Sequence, residues 1–169
     1  MSTSLKNTAG CGKIATTLVC LCSILSHRRK DKNMKKKVRA IIIKDGSVLL
    51  IYRSKHGQEY FVFPGGSIEK EDKDDMAALI RECKEELGVD VSVGNLITSS
   101  IFDGGKEPQQ EMFYFCSIIS GELGTGNGPE FQGKTGYEGT YTLCWVSRNG
   151  FEGKNIQPAN VAVIVKEMM

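Results

Sequence analysis

The sequence predicts an α/β fold, of the α+β kind, in which helices cover a mixed β-sheet. Short β-branched runs outnumber helical patterns, and signals for hairpins alternate with signals for longer crossover connections. The 169 residues are 40% apolar and 25% charged, which is the composition of an ordinary globular protein. A chain of this length can bury a core without disulfide or metal cross-links.

The first strands are predicted at residues 38–44 and 47–52, joined by Asp45-Gly46, a dipeptide typical of two-residue hairpins. A third run, 60–63, leads into Pro64-Gly65-Gly66, which must form a loop. Later strands are predicted at 89–93, 96–102, 111–119 and 140–146. Pro158 is expected to open a final helix that continues to about Lys166.

A longer helix is predicted to begin after the capping pair Asp74-Asp75 and to end at Leu87, because Gly88 can adopt the left-handed conformation. Its apolar residues recur at steps of three and four and should form one buried stripe. They are Met76, Leu79, Ile80, Cys83 and Leu87.

The charge divides the chain into a basic leader, residues 1–33, and a domain, residues 34–169. Residues 1–37 contain nine of the 22 Lys and Arg and one of the 20 Asp and Glu, so the remainder is acidic. An acidic body argues against nucleic-acid binding. The apolar run 14–25 is shorter than the ~18 residues of a membrane span. We therefore expect a leader that is not part of the fold; a short signal anchor and an export peptide are the alternatives.

The six cysteines are scattered without zinc-site spacing, so we expect reduced thiols in a cytoplasmic protein without a membrane partner. The oligomeric state stays open, with a homodimer among the alternatives.

The predicted helix carries a cluster of acids on its polar side. Glu82 and Glu86 are one helical turn apart, with Glu85 between them and Arg81 four residues before Glu85. Such a run is commonly a solvated helix face. Here, however, it follows a Gly-Gly loop, and clustered carboxylates are the hard oxygen ligands that Mg²⁺ or Mn²⁺ requires beside a phosphate.

The stretch from Gly66 to Val89 resembles the Nudix box, the signature of the Nudix hydrolase family. That motif is a Gly, five residues, Glu, seven residues, then Arg-Glu-apolar-x-Glu-Glu-x-Gly-apolar. The second half here reads Arg-Glu-Cys-Lys-Glu-Glu-Leu-Gly-Val and matches if Cys83 counts as apolar. The resemblance implies an α/β/α sandwich with a mixed β-sheet.

One extra residue before Arg81 disturbs the first half of the motif. Counting forward from Gly66 places the first acid at Asp72, whereas counting back from Arg81 places it at Lys73. Asp72 or Glu71 takes that role through a bulge, or the role is lost.

The resemblance implies Mg²⁺- or Mn²⁺-dependent hydrolysis of a diphosphate linkage in a nucleotide-type substrate. Metal ligands would be Glu82 and Glu86, with Glu85 as ligand or base, together with the backbone carbonyls of the Gly65–Gly66 loop. Arg81 would orient Glu85.

Residues outside the box are candidates for catalysis or substrate binding. Family members often use a further acid from a distant loop, for which the candidates are Glu138 and Glu130. Arg53 and Gly65 are the expected substrate contacts. The irregular box leaves a second hypothesis, a non-catalytic nucleotide-binding or regulatory module. A third is RNA processing with residues 28–37 as a basic arm, which would require salt-dependent RNA binding.

Overall fold

The computed structural model describes residues 34–103, 107–128 and 139–169. The strands and helices in chain order are β1 Lys35–Lys44, β2 Ser47–Lys55, β3 Gln58–Val62, α1 Asp75–Leu87, β4 Val89–Phe102, β5 Gln109–Gly121, β6 Thr140–Ser147, a 3-10 turn Arg148–Phe151, β7 Ile156–Gln157 and α2 Ala159–Met168. In the part of the chain described, no helix is both long and apolar enough to cross a bilayer.

The sheet is mixed, as the sequence predicts. Within the described residues seven strands lie in the order β4-β5-β1-β2-β3-β7, and β6 pairs with β2. The β1–β5 and β3–β7 pairs are parallel, and the other pairs are antiparallel.

Alternate residues of β1 belong to two hydrophobic cores, one on each face of the sheet. Val38, Ala40 and Ile42 belong to the core under α1, whereas Ile41 belongs to the core under α2. This alternation follows from the two-residue repeat of a strand that is covered on both sides. The predicted α/β/α arrangement is therefore confirmed.

Local signals predicted the β1–β2 hairpin and most strands. Asp45 and Gly46 both have positive φ, 50° and 66°, as a two-residue turn between Lys44 and Ser47 requires. The runs predicted at 89–93 and 96–102 form one strand, β4, whose pairing with β5 shifts register at three places. The short strand β7 and the 3-10 turn had no sequence signal.

Helix α1 has the predicted ends but a different buried face. The Asp74 side chain accepts a hydrogen bond from the Ala77 N–H at 2.8 Å, and Gly88 has a φ of 81°. The predicted stripe is wrong at Met76 and Ile80, which are 46% and 42% exposed. The buried positions are instead Ala78, Leu79, Cys83, Glu86 and Leu87.

Candidate active site

The Gly-Gly loop is attached to the edge of β1 as though it were a short strand. The Val38 N–H donates to the Gly66 carbonyl at 3.0 Å, and the Ala40 N–H donates to the Pro64 carbonyl at 2.8 Å. Gly65 has a φ of 124°, and a Cβ added there would lie 2.2 Å from the Val38 carbonyl oxygen. Only glycine fits this position.

This attachment brings the loop against the acids of α1 around a cavity of about 330 Å³. Glu86 is 5% exposed, and its Oε2 accepts the Gly65 N–H at 2.7 Å. A Cβ added at Gly66 would lie 2.4 Å from Glu82 Oε1, so glycine at this position permits the close approach of a carboxylate. The cavity is lined by Lys37, Arg39, Arg53, Gly65, Gly66, Ser67, Glu69, Arg81, Glu82, Glu85, Glu86 and Gly128.

Burial raises the proton affinity of two of these acids. It raises the pKa of Glu86 to about 7, although the Gly65 N–H and the charges of Arg39 and Arg53 act in the opposite direction. Burial likewise raises the pKa of Glu82, opposed chiefly by Arg81. The sequence analysis placed all three carboxylates on the polar side of the helix, but Glu86 points inward.

Arg81 connects the helix acids to the preceding loop. Its Nε and Nη2 donate to the two carboxylate oxygens of Asp72, at 3.1 and 3.0 Å. Its Nη1 donates to Glu82 at 3.2 Å and to Glu85 at 3.0 Å. The hydrogen bonds from Arg81 hold the pKa of Asp72 below its usual value. Arg81 is thus hydrogen-bonded to Glu85, the residue that it is predicted to orient.

The donor set suits Mg²⁺ or Mn²⁺, since carboxylate and carbonyl oxygens are the ligands that these ions prefer. Among the described residues, however, no three acidic, histidine or cysteine side chains are arranged as a ready-made metal site. Two of the three helix acids, Glu82 and Glu85, are instead hydrogen-bonded to Arg81. The Gly65 and Gly66 carbonyls each accept one hydrogen bond, which leaves a second lone pair on each oxygen.

A second cavity, of about 200 Å³, adjoins the acidic one. Lys37, Arg39 and Arg53 line both. Its other walls are largely apolar and aromatic: Tyr60, Val62, Phe63, Phe102, Glu111, Phe113, Gln157 and Pro158.

The predicted Arg53 lies where the two cavities meet. Its guanidinium carbon is 4.7 Å from the centre of the Tyr141 ring, and its Nη2 is 3.9 Å from Glu86 Oε1. Its Nε is buried and has no hydrogen-bond partner among the described residues. Lys37 and Arg39 were not predicted as site residues, although a charge inside the apolar run of β1 was an available signal.

Comparison with known proteins identifies the family of this chain. The model of the NUDIX domain matches residues 34–160. The chain belongs to the Nudix family. The family predicted from the box is therefore confirmed.

Individual relatives share only part of this sequence or have low sequence identity to it. The CTP pyrophosphohydrolase of Escherichia coli K12 is 39% identical over 64 residues, which are 37% of this chain and 47% of that protein. The chain thus matches about half the length of this curated relative. The crystal structure of a MutT Nudix hydrolase from Burkholderia pseudomallei has a TM-score of 0.61 at 21% identity, covering 80% of this chain and 98% of that one. That of an ADP-ribose pyrophosphatase from Streptococcus suis has a TM-score of 0.56 at 18% identity, covering 80% and 92%.

In the irregular half of the Nudix box, Asp72 is the acid that pairs with Arg81. This residue, reached by counting forward from Gly66, pairs with Arg81, and its Oδ2 also accepts the Glu69 N–H at 2.8 Å. The extra residue therefore lies between Asp72 and the helix.

The predicted distant acids of this Nudix domain, Glu130 and Glu138, lie outside the described residues. Of the described residues next to that stretch, Gly128 lines the acidic cavity and Gly139 lies close to the backbone of β2. The Gly128 N–H donates to the Glu85 carbonyl at 2.8 Å, and a Cβ added at Gly139 would lie 2.4 Å from the Ser54 carbonyl oxygen.

Proposed function

We propose that this Nudix protein hydrolyses a diphosphate linkage in a nucleoside diphosphate derivative or nucleoside triphosphate, with Mg²⁺ or Mn²⁺. One observation carries the proposal. The carboxylates of Glu82, Glu85 and Glu86 line a single cavity with the Gly65–Gly66 loop. Four cationic side chains line it too, of which Lys37 and Arg53 are the candidates to contact phosphate, whereas Arg39 and Arg81 are hydrogen-bonded to acids of the protein. Acids that can hold a divalent ion beside cations that can hold phosphate are what phosphoryl chemistry requires.

Each residue has a distinct part in this mechanism. When bound, the divalent ion supplies neutralisation of phosphate charge and lowers the pKa of the attacking water. Glu82 and Glu86 hold the ion, assisted by the carbonyls of the loop. Glu85, 44% exposed at its side chain and therefore reachable by water, is a further ligand or the proton acceptor. Arg81 orients Glu85 through their 3.0 Å contact.

The second cavity favours a nucleotide as substrate. Its aromatic walls suit a planar base, and Arg53 is placed to contact the phosphate between base and metal. The CTP and ADP-ribose named for the two pyrophosphohydrolase relatives are both nucleotides carrying a diphosphate linkage. They are the first substrates to test.

Four further assignments belong to the same proposal. Glu138, or else Glu130, contributes an additional acid. Residues 34–169 form the functional unit, for which the family match to 34–160 is the support. The cysteines Cys83, Cys116 and Cys144 are free thiols, which favours a reducing, cytoplasmic location. Metal and nucleotide are the proposed ligands, without a nucleic acid or membrane partner, and a homodimer is compatible with them.

The test is turnover of a nucleotide panel by the full chain, with Mg²⁺, with Mn²⁺ and with EDTA. The panel includes CTP and ADP-ribose, and the products are phosphate, pyrophosphate and nucleoside monophosphate. Glu86→Gln should abolish turnover. Glu152→Gln, which alters an exposed acid at the end of the 3-10 turn, is the matched control and should leave it unchanged. Wild-type turnover no greater than that of Glu86→Gln on every substrate would contradict the proposal.

A non-catalytic nucleotide-binding module is the second candidate. It is favoured by the engagement of Arg81 with both Glu82 and Glu85, and by the lack of a ready-made three-acid group in the described residues. It predicts nucleotide binding by calorimetry that persists in Glu86→Gln, and no hydrolysis by the wild type.

A further inference from the structure

Gly65 is held on both sides by side chains from different elements. Its N–H donates to Glu86 Oε2 on α1 at 2.7 Å, and its carbonyl accepts from Arg39 Nη1 on β1 at 2.5 Å. The neighbouring carbonyls of Pro64 and Gly66 are bonded to the β1 backbone, whereas the Gly65 carbonyl depends on a side chain. The position of this peptide is therefore set jointly by a carboxylate and a guanidinium.

Arg39 contacts Gly65 in a fixed orientation because its other guanidinium nitrogens are hydrogen-bonded to Glu111. Arg39 Nε and Nη2 both donate to Glu111 Oε1, at 3.1 and 2.7 Å. The third nitrogen, Nη1, is left to the carbonyls of Phe63, at 3.4 Å, and Gly65. In the parallel β1–β5 pair, Arg39 is opposite Phe113 and Glu111 is two residues earlier, so both side chains lie on one face of the sheet.

Stability alone does not account for this pair. The side chains of Arg39 and Glu111 are 11% and 8% exposed, so both charges lose most of their hydration. Replacing such a pair by apolar residues of similar volume is commonly neutral or stabilising, since the desolvation cost disappears with the charges. What apolar residues would not supply is the donor to the Gly65 carbonyl.

We propose that Arg39, held by Glu111, is a positioning residue of the acidic cavity. It fixes the Gly65 peptide, and the Gly65 N–H in turn orients the Glu86 carboxylate toward the divalent ion. The inference rests on the proposed function for its catalytic consequence. Its structural consequence, the immobilised Gly65 peptide, is measurable without metal or substrate.

The test replaces the pair without leaving an unpaired charge, in the double variant Arg39→Met with Glu111→Leu. Glu111→Gln is the conservative variant, because its amide oxygen still accepts from Arg39. Glu107→Gln is the matched control, since it breaks the exposed Lys35–Glu107 ion pair, 3.8 Å apart, near the same end of β1 and β5. Three quantities are measured: hydrogen exchange at the Gly65 amide in metal-free protein, the Kd for Mn²⁺, and kcat and KM on the best nucleotide.

The double variant should fold and exchange the Gly65 amide at least tenfold faster, because the peptide has lost one of its two anchors. Its Kd for Mn²⁺ should rise by about tenfold, the size of effect expected when a group that supports a metal ligand is removed. At saturating metal, kcat should fall while the nucleotide KM stays within about twofold, since a positioning group acts on the transition state rather than on substrate binding. Glu111→Gln should change each quantity less and in the same direction, and Glu107→Gln should match the wild type.

Wild-type exchange at Gly65 together with wild-type Mn²⁺ affinity in a folded double variant would overturn the inference. Should the double variant fail to fold, the same result in Glu111→Gln would overturn it. A wild type that neither binds Mn²⁺ nor hydrolyses any nucleotide would refute the proposed function instead. The Gly65 exchange would then still decide whether Arg39 positions the peptide.

Discussion

Glu86 is a single residue of the candidate site whose ionised form destabilises the folded protein. The chain buries a carboxylate in the core of a helix–sheet contact, and its ion pair with Arg53 is long, with 3.9 Å between Arg53 Nη2 and Glu86 Oε1. Burial raises its pKa to about 7 from about 4.5. The neutral form therefore stabilises the metal-free fold, and ionisation costs free energy that a divalent ion can offset.

The metal-free protein should lose stability as pH rises from about 4.5 to about 7. The folded state binds the Glu86 proton more tightly than the unfolded state, so the stabilisation is complete below the unfolded pKa and disappears above the folded one. The folded and unfolded pKa values of Glu86 differ by two to three pKa units. At 1.36 kcal/mol per unit, this difference corresponds to a loss of about 3 kcal/mol in the free energy of unfolding. Urea unfolding across this range measures it.

In Glu86→Gln this loss should be clearly smaller, with a remainder from Glu82, whose pKa burial also raises. The variant should therefore be more stable than the wild type at pH 8 and inactive as an enzyme. The exposed-site control Glu152→Gln should keep the wild-type pH dependence. Identical slopes in wild type and Glu86→Gln would show that Glu86 does not carry the effect.

Asp72 is the second residue whose role can be isolated. It holds Arg81 through two hydrogen bonds, and Arg81 holds Glu85, so Asp72→Asn should lower kcat by about tenfold through loss of charge-assisted positioning. The matched control is Glu71→Gln, the neighbouring acid that could also have filled this place in the Nudix box. Steady-state kinetics on both variants decides between them. Equal losses, or a larger loss in Glu71→Gln, would contradict the assignment.

The sequence predicted the box acids but not these environments. Spacing along a helix indicates which residues are neighbours, and Glu82, Glu85 and Glu86 do line one cavity. It does not indicate that Glu86 turns inward, because that depends on the Gly65 N–H from a loop 21 residues away. Arg39 was missed for the same reason, since its partner Glu111 is 72 residues distant.

At the scale of elements, α1 separates what periodicity can predict from what it cannot. Caps are local, and the helix runs from Asp75 to Leu87 between the predicted Asp74 cap and Gly88. The direction of the buried face depends on which strands lie beneath it. The buried face includes Glu86, which lies against the glycine loop, whereas Ile80 is exposed.

Adjacent substitutions in α1 should therefore differ sharply. Leu79 is fully buried, so Leu79→Ala should destabilise the protein by about 2–5 kcal/mol through the cavity it leaves. Ile80 is 42% exposed, so Ile80→Ala should change the free energy of unfolding by less than about 0.5 kcal/mol, helped by the higher helix propensity of alanine. Chemical denaturation of both variants gives the comparison. If both variants lost a comparable free energy of unfolding, Ile80 would belong to the buried stripe that the periodicity predicts, and the exposed position would be wrong.

Over the whole molecule, the fold class was predictable and the long-range pairing was not. Alternating hairpin and crossover signals indicate a mixed sheet, and the β1–β2 hairpin is encoded by Asp45-Gly46. The parallel pairing of β1 with β5 joins segments more than 70 residues apart, for which no local signal exists. That pairing brings Glu111 beside Arg39, so the part of the site that depends on it could not be predicted either.

The basic leader, residues 1–33, provides the last prediction. The NUDIX domain match covers residues 34–160, so the leader lies outside the matched domain. A chain beginning at Met34 should therefore keep the thermal midpoint within about 2 °C, and its kcat and KM for nucleotide should stay within about twofold of the full chain, as changes remote from core and site usually do. Parallel thermal unfolding and kinetics measure this, with RNA binding at low and high salt as the additional comparison. A tenfold loss of kcat, or salt-sensitive RNA binding present only in the full chain, would place part of the function in the leader.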